Sequence, residues 1–176
     1  MNIILDLDNT LISAVELDGY NEKTNLEKSR KFESFDVDNY YKVFKRPNVD
    51  KFIKFLFENC KHVSVWSAGT KDYVLKIVDE LFIKKGYHPH FVFFLYHCNL
   101  SDKNHKGIKD LDMVVKHFKY DKDKTYIVDD LDDVIHINKQ NSFHIKDFEY
   151  YNKNSENDKE LLRIMEKIKK INNQIA

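Results

Sequence analysis

Four short apolar runs punctuate this chain: Ile3-Ile4-Leu5, His62-Val63-Ser64-Val65-Trp66-Ser67, Phe91-Val92-Phe93-Phe94-Leu95-Tyr96 and Thr125-Tyr126-Ile127-Val128. Runs of this length, bounded by turn residues, read as buried strands. Between them the apolar period changes. Val49, Phe52, Ile53 and Leu56 share one helical face through Cys60. Tyr73, Val74, Ile77, Val78, Leu81 and Phe82 keep a 3-4 rhythm that stops at Gly86. Leu111, Val114, Val115 and Phe118 mark a shorter helix. Asn48 and Thr70 stand where N-caps belong. Strands alternating with helices imply a parallel sheet with helices on both faces. The expectation is therefore an α/β fold, a three-layer doubly wound parallel sheet, with 91–96 as a central strand and 142–145 as a last short one.

The remaining stretches are less regular. Residues 13–34 are polar, carry Gly19 and have no sustained periodicity. They read as a loop excursion with a short turn or hairpin, and long loops in compact domains often serve as lids. Residues 35–45 are rich in Tyr, Phe and Val and read as one or two strands. Asn154-Ser155-Glu156-Asn157-Asp158 offers capping chemistry before a final helix, about residues 155–174, whose Leu161, Leu162, Met165, Ile168 and Ile171 would pack on the domain. At 176 residues and 42% hydrophobic, one domain over 1–176 is expected, with no repeat or linker.

Open α/β sheets bind ligands at the C-terminal ends of their strands, and this chain sets polar residues there. Asp6 and Asp8 follow the first run two apart, so on a strand they would share a face. Two carboxylates held close cost free energy unless a cation sits with them. An Asp-Asn turn with two solvated acids is the plainer alternative. Ser67, Lys109 and Asp129-Asp130 come at or just after the other strand ends. Such acids suit Mg²⁺, a hard cation that takes a few carboxylates plus phosphate oxygens. A hydroxyl before a helix N-terminus can hold phosphate, and a lysine can neutralise it. This is equipment for phosphoryl transfer, where charge stabilisation does most of the catalysis.

Taken together these residues resemble the haloacid dehalogenase (HAD) superfamily, whose first motif is D-x-D-x-T/V. More narrowly, the chain is similar to the FCP1/small CTD phosphatase group, the NLI-interacting-factor-like family. The resemblance rests on Leu5-Asp6-Leu7-Asp8-Asn9-Thr10-Leu11, Phe44-Lys45-Arg46-Pro47-Asn48-Val49, Val65-Trp66-Ser67-Ala68-Gly69-Thr70, Lys109-Asp110-Leu111 and Ile127-Val128-Asp129-Asp130, in the family's order over roughly residues 1–150. It implies a HAD-like fold with a small flap or insert after the first strand. It also implies a phosphoric monoester hydrolase: a Mg²⁺-dependent protein serine/threonine phosphatase acting on a phosphoprotein, with the RNA polymerase II C-terminal repeats as substrate class. Asp6 would be the nucleophile. Asp8 would protonate the leaving oxygen, then activate water, and its carbonyl would help bind Mg²⁺. Ser67, often threonine in relatives, would hold the phosphoryl group and Lys109 would neutralise the phosphoaspartate. Asp130, with Asp129 beside it, would complete the Mg²⁺ shell that begins with Asp6. Thr10, Arg46 and Gly69 would bind on the substrate side. Asp129-Asp130 follows the FCP1 type, since small CTD phosphatases carry Asp-Asn there. Lys106 competes with Lys109 for the lysine role.

Two other readings stay open: a HAD phosphatase of a small molecule or nucleic-acid end, and a non-catalytic binding module. Charge separates none of the three. With 29 basic and 29 acidic residues the net charge is zero, so no general attraction to nucleic acid or anionic membrane is expected. Cys60 and Cys98 are too few for a disulfide framework. Without a signal-like start or a long apolar run, a soluble intracellular protein is expected, nuclear or cytoplasmic. His88-Pro89-His90 with His97-Cys98 matches no common zinc spacing and reads as loop and strand-end residues. Cys60 reads as core or surface. Asp132 and Asp133 suit the start of a short helix.

Overall fold

The computed structural model describes residues 1–20, 27–100 and 108–175. Its centre is a five-stranded parallel sheet built from β1 (Asn2–Leu5), β5 (His62–Trp66), β6 (Val92–Phe93), β7 (Thr125–Asp129) and β8 (Ser142–His144). The order is β6-β5-β1-β7-β8. The chain therefore steps outward from β1 through β5 to β6, then returns to the other side for β7 and β8. The reversal falls at β1, and the crevice beyond that switch point is where such sheets bind ligands. All four residues of β1 are buried, as a middle strand with layers on both faces requires.

Helices α1 (Val49–Asn59), α2 (Lys71–Leu81), α3 (Leu95–Cys98), α4 (Leu111–Phe118), α5 (Asp132–Ile137) and α6 (Glu160–Ile175) connect or cover these strands. Ile3, Leu5, Phe52, Ile53, Leu56, Ile77, Leu81, Leu161, Ile164 and Ile168 form one core, which draws α1, α2 and α6 against the sheet. Ile4, Trp66, Leu111, Val114, Ile127 and Val134 form another, with α4 and α5. Ile3 and Ile4 belong to different cores because successive strand residues face opposite ways. The expected final helix begins at Glu160, and Ser155–Asn157 make a separate 3₁₀ turn before it. Asn48 and Thr70 do stand at N-cap positions, but neither side chain makes a capping bond, and Asn48 takes a left-handed φ of 70°.

Two stretches differ from the sequence expectation. Residues 91–96 were expected to form a central strand. Only Val92–Phe93 is strand, at the sheet's edge, and Leu95–Cys98 is already helical. The apolarity of the run serves an aromatic stack: Phe91 lies on Phe118 with centroids 4.7 Å apart, and Phe93 on His97 at 4.1 Å. An edge strand covered by rings carries the same apolar signature as a central one. The second stretch is the excursion after β1, which opens with a strand at residues 12–16, whereas the two strands within 34–45 are the one or two expected of 35–45. β2 (Ile12–Glu16), β3 (Ser34–Val37) and β4 (Tyr41–Lys45) pair antiparallel in the order β2-β4-β3. Asp38 and Asn39 turn β3 into β4 with φ of 57° and 52°, values that these two residue types tolerate.

Candidate active site

Asp6 is the first residue beyond β1. Its N–H donates to the carbonyl of Val128 at 3.0 Å, which pins the chain to β7 at the switch point. A tight turn follows. The Leu7 carbonyl accepts from the N–H groups of Thr10, Leu11 and Ile12 at 3.2, 2.8 and 3.1 Å. Asn9 supplies the left-handed residue, with φ 57°. Leu7 and Leu11 are fully buried and fix the turn to the core. Asp6 is buried and Asp8 half-buried at its mouth.

Lys109 reaches Asp6 from the segment before α4. Its own backbone is clamped by Asn138 at the end of α5. The Asn138 Nδ2 donates to the Lys109 carbonyl at 2.8 Å, and Oδ1 accepts from Leu111 N–H at 3.1 Å. The buried Lys109 ammonium donates to Asp6 Oδ1 and, at 2.7 Å, to Asp129 Oδ2. Asp129 ends β7, and its other oxygen accepts from Leu131 N–H at 2.9 Å. Next to it, Asp130 Oδ1 accepts from the Thr10 hydroxyl at 3.3 Å. Ligand oxygens of Asp6, Asp129 and Asp130 all lie within 4.8 Å of one another.

Asp6 and Asp129 share one ammonium with Asp130 close beside them, and the electrostatics follow. Burial first, then the charge of Asp6, raises Asp129 to about 7 and Asp130 to about 6. Burial and Asp6 also raise Asp8 to about 6, against a hydrogen bond from Tyr73. Burial alone would pull the Lys109 ammonium down, but Asp6 and Asp129 together hold it above its ordinary value. The excess negative charge and the all-oxygen donors fit a hard divalent cation, with Asp6, Asp129 and Asp130 as the residues able to hold it.

Ser67 follows β5. The parallel register sets Leu5 beside Val65, so Ser67 reaches the same edge one residue beyond the level of Asp6. It is buried, and its Oγ accepts from Gly69 N–H at 3.0 Å. Gly69 leaves room that a side chain would take: a Cβ there would lie 2.8 Å from Tyr73 Cδ1 and 3.2 Å from Ser67 Oγ.

Arg46 does not join this face, contrary to the expectation of a substrate contact. It is buried, and all five guanidinium N–H groups have protein acceptors. Nε and Nη2 meet the two Asp158 oxygens at 2.9 Å each. Nη2 also donates to the Lys146 carbonyl at 2.7 Å, and Nη1 to the carbonyls of Asn9 and Thr10 at 3.3 and 3.0 Å. A planar five-donor fork matches this arrangement, which ties the turn after β1 to the approach of α6. Lys106 lies outside the described residues. Among the described residues no other three His, Cys, Asp or Glu side chains converge, so the His88, His90, His97 and Cys98 set forms no metal cluster. Burial pushes the Cys60 thiol to about 11, which leaves it a poor nucleophile at neutral pH.

Two residues carry more of the site than the sequence suggested. Asn138 holds Lys109 in place. Tyr73, whose spacing marks it as part of the apolar face of α2, donates its hydroxyl to Asp8 Oδ1. A tyrosine in the first turn of a helix has a ring to bury and a polar tip to satisfy, and that was the available signal.

The mixed α/β architecture around a central parallel sheet is similar to the fold of Fcp1. The structure of Fcp1, described as an essential RNA polymerase II CTD phosphatase, matches with a TM-score of 0.63 at 19% identity, covering 97% of this chain and 50% of that one. A fission yeast Fcp1 variant bound to beryllium fluoride matches at 0.61 and 19%, covering 98% and 50%. This chain thus spans about half the length of those solved chains, and the likeness is one of fold. The profile of the NLI interacting factor-like phosphatases matches residues 1–176, and the chain belongs to that family. Its relatives include the CTD phosphatase-like protein 355R of Invertebrate iridescent virus 3, 37% identical over 171 residues that cover 92% of this chain and 91% of the relative. The protein of the same name from Invertebrate iridescent virus 6 is 34% identical over 172 residues, covering 93% and 94%. No helix among the described residues is long and apolar enough to cross a membrane.

Proposed function

We propose that this phosphatase is a Mg²⁺-dependent protein serine/threonine phosphatase of the CTD type, working through an aspartyl phosphate on Asp6. One observation carries the reading: the Asp6 carboxylate stands at the switch point of the sheet, held by Lys109 and within 4.8 Å of Asp129 and Asp130. A carboxylate so placed has a cation on one side and a site for a second beside it.

Asp6 attacks phosphorus and forms a covalent phosphoryl-enzyme as the bond to the serine or threonine oxygen breaks. Asp8 gives its proton to that oxygen. In the second half Asp8 takes a proton from water, and the hydroxide releases phosphate and restores Asp6. A group that burial has brought toward neutral pKa suits both duties. Ser67 and the free N–H groups at the start of α2 hold the phosphoryl oxygens. Lys109 fixes the Asp6 carboxylate and neutralises the phosphoaspartate. Asp6, Asp129 and Asp130 would hold Mg²⁺, whose charge would stabilise the phosphoryl oxygens. Thr10 steadies Asp130, and Arg46 holds the catalytic turn without touching substrate. The names of the two viral relatives and of Fcp1 support a phosphoprotein substrate with RNA polymerase II repeats as the first to try.

The test is hydrolysis of an aryl phosphate and of a phosphoserine peptide panel, with Mg²⁺ and with chelator. The expected outcome is turnover that chelation abolishes and that Asp6→Asn lacks. Folded native protein that turns over neither substrate would leave the binding-module reading in its place.

A further inference from the structure

We infer that Tyr73 is a positioning residue for Asp8, aiming its carboxyl at the leaving oxygen, and that the bare backbone at Gly69 exists to let it do so. The inference rests on the phosphatase reading above. Three contacts carry it. The Tyr73 hydroxyl donates to Asp8 Oδ1, and among the described residues it is the one side chain that hydrogen-bonds this carboxyl. The ring runs past Gly69, where a Cβ would meet Tyr73 Cδ1 at 2.8 Å and Val74 Cγ2 at 3.1 Å. The Tyr41 ring of β4 also packs edge-on against the Tyr73 ring, with centroids 5.1 Å apart and planes at 63°.

Helix geometry explains how the residue gets there. Tyr73 is the third residue of α2, and side chains on a helix lean toward its N-terminus. From the first turn that direction leads back over the Ser67–Thr70 turn toward Asp8. Gly69 removes the obstacle on this path, and Tyr41 packs against the ring. A carboxylate with two rotatable bonds is thereby restricted to one orientation before substrate arrives. Pre-set orientation is worth most for a group acting on a poor leaving oxygen, because such an oxygen leaves only when a proton reaches it in the transition state. Serine and threonine are poor leaving groups, whereas a nitrated phenol departs without help.

Leaving-group dependence therefore separates aiming from support of the fold. The experiment compares native protein, Tyr73→Phe and Asp8→Asn on a phosphoserine peptide and on 2,4-dinitrophenyl phosphate. Tyr73→Phe keeps the ring and loses only the hydroxyl. It is expected to lower kcat/KM on the peptide, which reports the steps up to loss of the serine oxygen and not the later hydrolysis, about tenfold, a fraction of what a general acid contributes. On the dinitrophenyl ester its kcat/KM should fall less than about threefold. Asp8→Asn should show the same asymmetry in stronger form. Equal losses on both esters, or no loss on the peptide, would overturn the role of Tyr73. If native protein turns over neither ester, the phosphatase reading fails and this inference with it. If native protein and Asp8→Asn behave as expected and only Tyr73→Phe does not, the reading stands without Tyr73. As a second variant, Gly69→Ala, whose Cβ would meet Tyr73 Cδ1 at 2.8 Å and also Ser67 Oγ at 3.2 Å, should lower kcat/KM on both esters and more on the peptide.

Discussion

Arg46 turns its donors to the protein, whereas the resemblance sets it on the substrate side. Its position between β4 and α1 is what the arginine-proline stretch suggests, yet its guanidinium closes on Asp158 and three main-chain carbonyls. Replacing it would strand a carboxylate and several buried acceptors. Arg46→Met is expected to cost about 3–5 kcal/mol of unfolding free energy, the range for breaking one side of a buried pair, and denaturant titration reads that directly. Arg46→Lys should recover only a part, because an ammonium cannot span the fork. A residue that bound substrate would instead raise KM and leave stability alone. From sequence, an arginine signals that an anion or a set of carbonyls is near, and no local pattern says which. Asp6 and Ser67 were legible because each sits just after a strand end, where topology fixes the destination, whereas Lys109, far past the end of β6, was legible through the Lys109-Asp110-Leu111 resemblance. The contacts of Tyr73 and Asn138 were not, because each depends on a partner far along the chain: Asp8 for one and Lys109 for the other.

Among the elements, β1 and β6 mark the limits of reading strands from apolar runs. Both runs are almost wholly apolar, yet β1 is the sheet's middle and β6 its edge. What differs is the cause of burial. β1 is covered by helices on both faces, while the neighbourhood of β6 is covered by rings. Phe91→Ala should therefore cost about 3–5 kcal/mol, the usual range for deleting a buried phenyl ring, since Phe91 lies at 4.3 Å from Phe93 and 4.7 Å from Phe118. The same variant should leave kcat within about twofold at a temperature where it is folded, because β6 feeds no side chain to Asp6. Thermal melting with parallel kinetics checks both halves. In the antiparallel sheet, β3 and β4 fall where one or two strands were expected, and β2 alone falls where a loop was expected, for another reason. It is short and runs out to solvent, so polar residues such as Ser13 and Glu16 interrupt the apolar signal.

For the whole molecule, the switch-point acids act on stability as well as on chemistry. In metal-free protein Asp129 stands at about 7 and Asp8 and Asp130 at about 6, against 3.8 for the ordinary carboxyl. Between pH 4 and 7 the folded chain therefore holds protons that the unfolded chain has released. Stability falls with rising pH wherever the folded state binds more protons. The metal-free protein should thus melt several degrees lower at pH 7.5 than at pH 5. Millimolar Mg²⁺ should reverse the trend, raising Tm more at pH 7.5 than at pH 5, because protonated carboxyls do not ligate. A melting temperature that rises with pH in chelator would contradict this account of the acids.

The phosphoryl-enzyme itself is the most direct object to measure. Native protein mixed with labelled phosphoserine peptide and Mg²⁺, quenched in acid within a turnover and digested, should yield one labelled fragment carrying Asp6. The label should survive acid, leave in alkali, and be missing in Asp6→Asn. Label on another residue, or turnover with no labelled protein at any quench time and no burst of released peptide, would contradict an aspartyl phosphate on Asp6.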